Sequence, residues 1–177
     1  MDGQIQRVRR VAFAAVAAAL LLVAVAPVAA DTESVSDPKG DAGGYNTSGP
    51  SVDILNGTAT HAKGGRLVHT VRVAGTADPK RLPLVLIESL EGQSRYCDFV
   101  VGRTDRGTGV FTCGYMDKVG SVKIVRRGSK VTYVFKRSAI GDLSEYGWAV
   151  VTRGESGGTT VEYDRAPNDL DIFRKYS

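Results

Sequence analysis

After Ser51 the chain is cut into short runs, each stopped by Gly, Pro, Asp or Ser, and within them apolar and polar side chains alternate. A period of two sends successive side chains to opposite faces of an extended strand, so such runs bury one face and wet the other. Strands are expected at residues 52–61, 66–75, 83–89, 95–102, 108–115, 119–126, 130–137, 146–153 and 158–163. No helix-length amphipathic stretch competes with them, although residues 138–145 have room for one helical turn. About nine short antiparallel strands in one domain imply an all-β fold, a single antiparallel two-sheet β-sandwich. The run 146–153, with Tyr146, Trp148 and Val150, is apolar on both faces and belongs in the middle of a sheet.

Turn chemistry sets the expected registers. A turn at Arg127 and Gly128 places Ile124 opposite Val131 and Val122 opposite Tyr133 on a core face. The same register leaves Lys123 opposite Thr132 and Val125 opposite Lys130 on a wet face. Gly64 and Gly65 read as a second two-residue turn. A third, centred on Asp105, sets Cys97 opposite Cys113 and Phe99 opposite Phe111, so a cross-strand disulfide is expected. Closing a loop of about fifteen residues is worth about 3 kcal/mol in the chain-entropy model. Two free thiols holding zinc would need two further ligands nearby, and none is in reach along the chain.

The first thirty residues have another character. Arg7, Arg9 and Arg10 precede an unbroken apolar run from Val11 to Ala26, and Pro27, Val28, Ala29 and Ala30 follow. That is the basic, apolar and small-residue order of a signal peptide, with cleavage expected after Ala30. The apolar stretch is also long enough for an uncleaved anchor, but it is half alanine, and Pro27 breaks a helix where a cleavage region needs extended chain. Arg9 and Arg10 invite a twin-arginine reading, yet Phe13 stands one place late for it. The expected organisation is a signal peptide at 1–30, a polar N-terminal loop and edge strand at 31–50, and the sandwich at 51–177. The product is expected to be secreted, an oxidising setting in which Cys97 and Cys113 are normally bridged. Losing Arg7, Arg9, Arg10 and Asp2 lowers the formal charge of +4 to +2, and the remaining basic residues are scattered along the sequence. No nucleic-acid partner, and no membrane after signal cleavage, follows from that pattern.

Several residues are candidates for chemistry. GESGG at 154–158 is similar to the GDSGG nucleophile segment of chymotrypsin-like proteases, which would make Ser156 the nucleophile, His61 the base and Asp98 or Asp105 the orienting acid. Only a short tail follows Ser156, too little for the rest of that fold's second barrel, and a Gly-rich turn explains the same letters. His69, in the alternation Leu67, His69, Val71, Val73, is expected to be a hydrogen-bonded core histidine, with no second His placed to share a metal. Asp37, Asp41 and Asp53, with Asp164 or Asp169, are candidate calcium ligands. Ca²⁺ takes six to eight oxygens and accepts carboxylates from irregular backbone. The competing reading has Asp37 and Asp41 in Asx turns and Asp53 and Asp164 paired with arginines. Tyr45, Tyr96, Tyr115, Tyr146 and Trp148 are the aromatics available for sugar stacking, and Trp148 reads as buried.

The order DPKGD at 37–41, VDI at 52–54, the hairpin HAKGGRLVHTVRV, the strand YGWAVVT and a late DRAP at 164–167 resembles secreted β-sandwich domains of the DOMON and carbohydrate-binding-module-9 type. Such domains include the C-terminal modules of glucodextranase-like enzymes and many uncharacterised secreted actinobacterial proteins. The resemblance runs over most of residues 36–168 and implies a non-enzymatic binding module for a carbohydrate or cell-envelope component, with calcium as a possible cofactor. Two other classes stay open: a small secreted hydrolase using Ser156, and an envelope protein-interaction domain that recruits a partner by strand addition at a sheet edge.

Overall fold

The computed structural model describes residues 32–42, 49–89, 97–156, 159–168 and 174–176. The expected signal peptide, Tyr45, Tyr96 and Asp169 lie outside the described residues. Among the described residues no helix is long and apolar enough to cross a membrane.

Twelve strands occur in chain order: β1 (Thr32–Ser36), β2 (Ile54–Ala62), β3 (Arg66–Val73), β4 (Leu84–Glu88), β5 (Phe99–Thr104), β6 (Gly107–Thr112), β7 (Lys118–Gly120), β8 (Val122–Arg127), β9 (Lys130–Lys136), β10 (Tyr146–Ser156), β11 (Thr159–Ala166) and β12 (Arg174–Tyr176). They form two antiparallel sheets, one ordered β1-β2-β3-β9-β8, the other β11-β10-β4-β5-β6-β7 with β12 also on β10. The expected all-β two-sheet architecture is therefore present, with β1 as the edge strand expected within 31–50. The strand expected at 119–126 is divided at Ser121, where the chain passes from β7 in one sheet to β8 in the other. The expected helical turn is a 3-10 turn at Arg137–Ile140.

Alternation explains the core. Leu67, His69, Val71 and Val73 of β3 point inward beside Val131, Tyr133 and Phe135 of β9, and meet Val85, Ile87, Tyr146, Trp148 and Val150 from the other sheet. Strand β10 is central, as its two apolar faces require: Val151 joins a second cluster with Leu84, Leu86 and Val100 on the outer side, against Cys97 and Cys113. Trp148 fits because Gly57 faces it; a Cβ on Gly57 would lie 3.0 Å from the indole.

Three registers differ from expectation. In the β8–β9 hairpin Ile124 pairs with Tyr133 and Val122 with Phe135, two residues from the expected partners. The turn is Gly128–Ser129, with Gly128 at φ 58°, the first central position of a two-residue turn where glycine is favoured. A shift of two preserves the faces, so the core assignment survives. In the β5–β6 hairpin Phe99 pairs with Thr112 and Val100 with Phe111, one residue from expectation. That slip inverts the relative faces, so Phe99 and Phe111 are not opposed. The Cys97–Cys113 disulfide forms nonetheless, with Cα atoms 5.9 Å apart, just outside the ladder where the Cys113 amide donates to the Asp98 carbonyl. The β2–β3 turn has three residues, Lys63 to Gly65, since Ala62 pairs directly with Arg66.

Candidate functional site

Acidic residues from separated segments meet beside the start of β2. Strand β1 ends at Ser36, and the Asp37 amide donates to the Leu55 carbonyl, which turns the chain away from the sheet. Both oxygens of Asp53, itself buried, accept from the Gly40 amide at 3.0 and 3.1 Å, folding the DPKGD loop back over the sandwich. Strand β11 brings Asp164, whose Oδ2 accepts from the Ile54 amide at 2.5 Å and whose Oδ1 accepts from the Arg165 amide at 2.8 Å. The Asn168 amide donates to Asp41 at 2.8 Å. Thr152 donates to the Val52 carbonyl and ties β10 to the same corner.

The result is a cluster in which Asp37, Asp41 and Asp164 each present a carboxylate oxygen, all within 4.8 Å of one another. Asp53 stands next to them, but its oxygens are spent on the loop amide. Among the described residues neither Asp53 nor Asp164 forms an ion pair with an arginine, and Arg165 and Arg153 both engage Glu162. The two Asp37 oxygens are buried and no donor group of the described residues reaches them, while the facing Asp164 carboxyl shares a hydrogen bond with Asp37 when either is protonated. Burial, and then the neighbouring Asp164 and Asp41, push the Asp37 carboxyl up to about 8. Burial likewise raises Asp164 to about 6, against the pull of the Ile54 and Arg165 amides that favour its charged form.

The donor set suits a hard cation. Ligand oxygens around one Ca²⁺ lie at about 2.3–2.6 Å from it, so any two are at most about 5 Å apart, and the three carboxylates meet that limit. Asp37, Asp41 and Asp164 would be the protein ligands, with Asp53 holding the loop that carries two of them.

The described triad candidates each have other neighbours. The His61 ring packs edge-on to Tyr176 at 4.9 Å, Asp98 accepts from the Ser89 amide at 2.6 Å, and Asp105 sits on a hairpin tip beside Arg106. Ser156 closes β10 opposite Thr159, and its side chain lies outside the described residues. In the same motif Gly154 has a packing role, since an added Cβ would run into the Tyr163 ring.

His69 is fully buried, with its Nε2 2.9 Å from the Tyr146 hydroxyl and its ring edge-on to Trp148 at 5.2 Å. Burial lowers its pKa to about 3, which keeps it neutral. Tyr146 and Trp148 are likewise fully buried, and of the candidate sugar-stacking aromatics Tyr115 is exposed. Asn168 was not a sequence candidate, although its place just after the DRAP segment is the signal that points to it.

Compared with protein-family models, curated proteins and solved structures, the chain matches none.

Proposed function

We propose that the protein is a secreted, non-enzymatic β-sandwich module that binds an extracellular carbohydrate or cell-envelope component, with a calcium ion fixing its N-terminal loop. The observation that carries this reading is the meeting of Asp37, Asp41 and Asp164, from two segments far apart in sequence, with the Asp37 oxygens buried and reached by no donor other than a protonated neighbouring carboxyl. Three carboxylates held together repel and lose hydration, a cost that a shared divalent cation offsets. The loop so fixed packs against the starts of β2 and the end of β11, which is a structural use of calcium. The Cys97–Cys113 bridge accords with export. The order of motifs over residues 36–168 supports the likeness to DOMON and carbohydrate-binding-module-9 domains.

Melting in calcium and in chelator, paired with a glycan and cell-wall binding screen in both conditions, tests the reading. Calcium should raise the melting temperature and glycan or wall material should be retained. A cation that binds only the folded state adds about 2.7 kcal/mol at one hundred times its dissociation constant. Identical melting with and without calcium would remove the cation, and failure to retain any glycan or wall fraction would remove the binding role. Labelling of Ser156 by a serine-directed covalent probe would instead favour a hydrolase. Strand addition is disfavoured at β8, an edge strand whose Lys123 and Arg127 place charge on an exposed sheet edge.

A further inference from the structure

The basic residues that are scattered in sequence share a surface in the fold. Register places Arg66 against Lys136, Arg72 against Lys130, and Lys130 against Arg127, with Lys123 against Val134, all on the outer face of the five-stranded sheet. Every one of these six side chains is exposed, and none has an acidic partner among the described residues. The other outward positions are Asn56 and residues that are hydroxyl-bearing or small and apolar: Thr70 and Thr132 touch across the strands at 3.3 Å, as do Thr32 and Thr60. Asp and Glu are absent from the outward positions of β1, β2, β3, β9 and β8. Like charges directly opposite one another destabilise a sheet, so this face has an electrostatic cost that an anionic partner would relieve.

Two basic rows lie at opposite ends of the face. Arg66 and Lys136, with Lys123 one step in, form the first; Arg72, Lys130 and Arg127 form the second. Six residues of strand separate Arg66 from Arg72, a span of about 20 Å at about 3.3 Å per residue. The first row opens into a groove of about 710 Å³ lined by Arg66, Lys123, Val134, Lys136, Ser121 and Ser138, where the chain crosses between the sheets.

We infer that this face and its groove bind an acidic polysaccharide, a polymer bearing carboxylate groups at intervals along a chain of hydroxyls. The inference rests on the binding-module reading above and names the ligand class for it. Charge selects an anion, and the threonine rows between the two basic ends offer hydrogen-bond partners to sugar hydroxyls. Other polyanions fit the face less well. It has no outward aromatic ring for nucleic-acid bases to stack on. It lacks the Trp and Tyr anchors that dominate protein–protein contacts. Its apolar members on the strands, Ala62, Val68, Val125 and Val134, are short and half-buried, and Val119, exposed at the groove, is a single short side chain, too little apolar area to insert into a lipid surface.

The test is affinity electrophoresis of the full secreted protein through gels containing polygalacturonate, with dextran as the neutral polymer. Polygalacturonate should retard the protein, dextran should not, and rising salt should weaken retardation. A Lys130→Gln, Lys136→Gln double variant should lose at least tenfold in affinity. A Lys80→Gln, Lys175→Gln variant of identical net charge, altered outside this face, should match the parent. Melting curves verify that each variant is folded, and Lys136→Arg should retain binding. Equal loss in both double variants would overturn the face assignment, leaving net charge as the cause. Stronger binding to duplex DNA or to phosphatidylglycerol vesicles than to polygalacturonate would overturn the ligand class. Retention of neutral glycans without retardation by polygalacturonate would overturn this inference and leave the module reading standing; failure of every glycan and wall fraction would remove both.

Discussion

Two ionisable sites in the same sandwich, His69 fully buried and the Asp37, Asp41 and Asp164 cluster only partly so, are handled in opposite ways. His69 is enclosed by Phe135, Tyr146 and Trp148 and keeps one hydrogen bond, so it is held neutral with its pKa lowered to about 3. Asp37 and Asp164 are set against each other and against Asp41, and burial raises both toward neutrality. The core neutralises its titratable group by desolvation with all neighbours apolar or aromatic. The loop end brings together groups of one sign, which a proton or a cation must compensate. Polarity is thus sealed in a neutral form in one place and left to be compensated by a proton or a cation in the other.

The comparison is sharpened most by removing Trp148, which touches His69 in the core. Trp148→Ala should cost about 3–5 kcal/mol in chemical denaturation, as large-to-small core changes do. The calcium response should persist in that variant wherever it remains folded, and joint loss of both would show that the two sites are not separate. Replacing Cys97 and Cys113 by Ser should cost about 3 kcal/mol, as the chain-entropy model gives for a loop of this length. That loss should be the same from pH 5 to pH 8 when followed by urea denaturation, because no titrating group is involved.

The two sites should next separate by pH. In chelator, the raised Asp37 carboxyl contributes stability fully present below the ordinary value of 3.8 and lost as pH rises through about 8. The lowered His69 acts in the opposite sense: its contribution is present above 6.5 and is lost as pH falls toward 3. Between pH 6.5 and 8 the carboxylates therefore act without His69. Urea midpoints should fall across that window in the parent, and Asp37→Asn should flatten the fall. His69→Gln should flatten the acid-side loss alone; a variant that changed the wrong limb would break the comparison. The smallest effect is on the metal-free protein at neutral pH, where Asp37→Asn should raise the melting temperature by a few degrees, because the amide needs no bound proton to sit beside Asp41 and Asp164, while abolishing the calcium-induced rise. A lower melting temperature in chelator would mean that the Asp37 carboxyl stabilises the loop by itself.

Much of this fold was legible because burial imposes alternation: His69 falls in the inward series of β3, and the two-faced apolar run of β10 required a central place. Register was less legible. Hairpin turns of similar composition differ by one or two residues, and nothing local in Arg127–Gly128–Ser129 states which pair turns. Strand β12 has three residues, too few for a period to appear, and is recruited by pairing with Tyr146–Trp148. The acidic cluster was partly legible, since Asp37, Asp41 and Asp164 sit beside Pro and Gly at strand ends. The engagement of Asp53 by the Gly40 amide needed the loop's path. The basic outer face was illegible for the same reason that the registers were: Arg66 and Lys136 are neighbours only through cross-strand pairing.

The position of Trp148 also decides how the molecule can be watched. It is the sole tryptophan of the chain and is fully buried, against His69 and over Gly57. Its emission should be that of an indole shielded from water and should shift red as the core opens. The ring is sealed in the core between the sheets rather than set among the acidic carboxylates or the outward basic side chains, so a fluorescence titration with calcium or polyuronate should stay nearly flat while thermal melting responds. The protein has one intrinsic lamp, and it illuminates unfolding rather than binding.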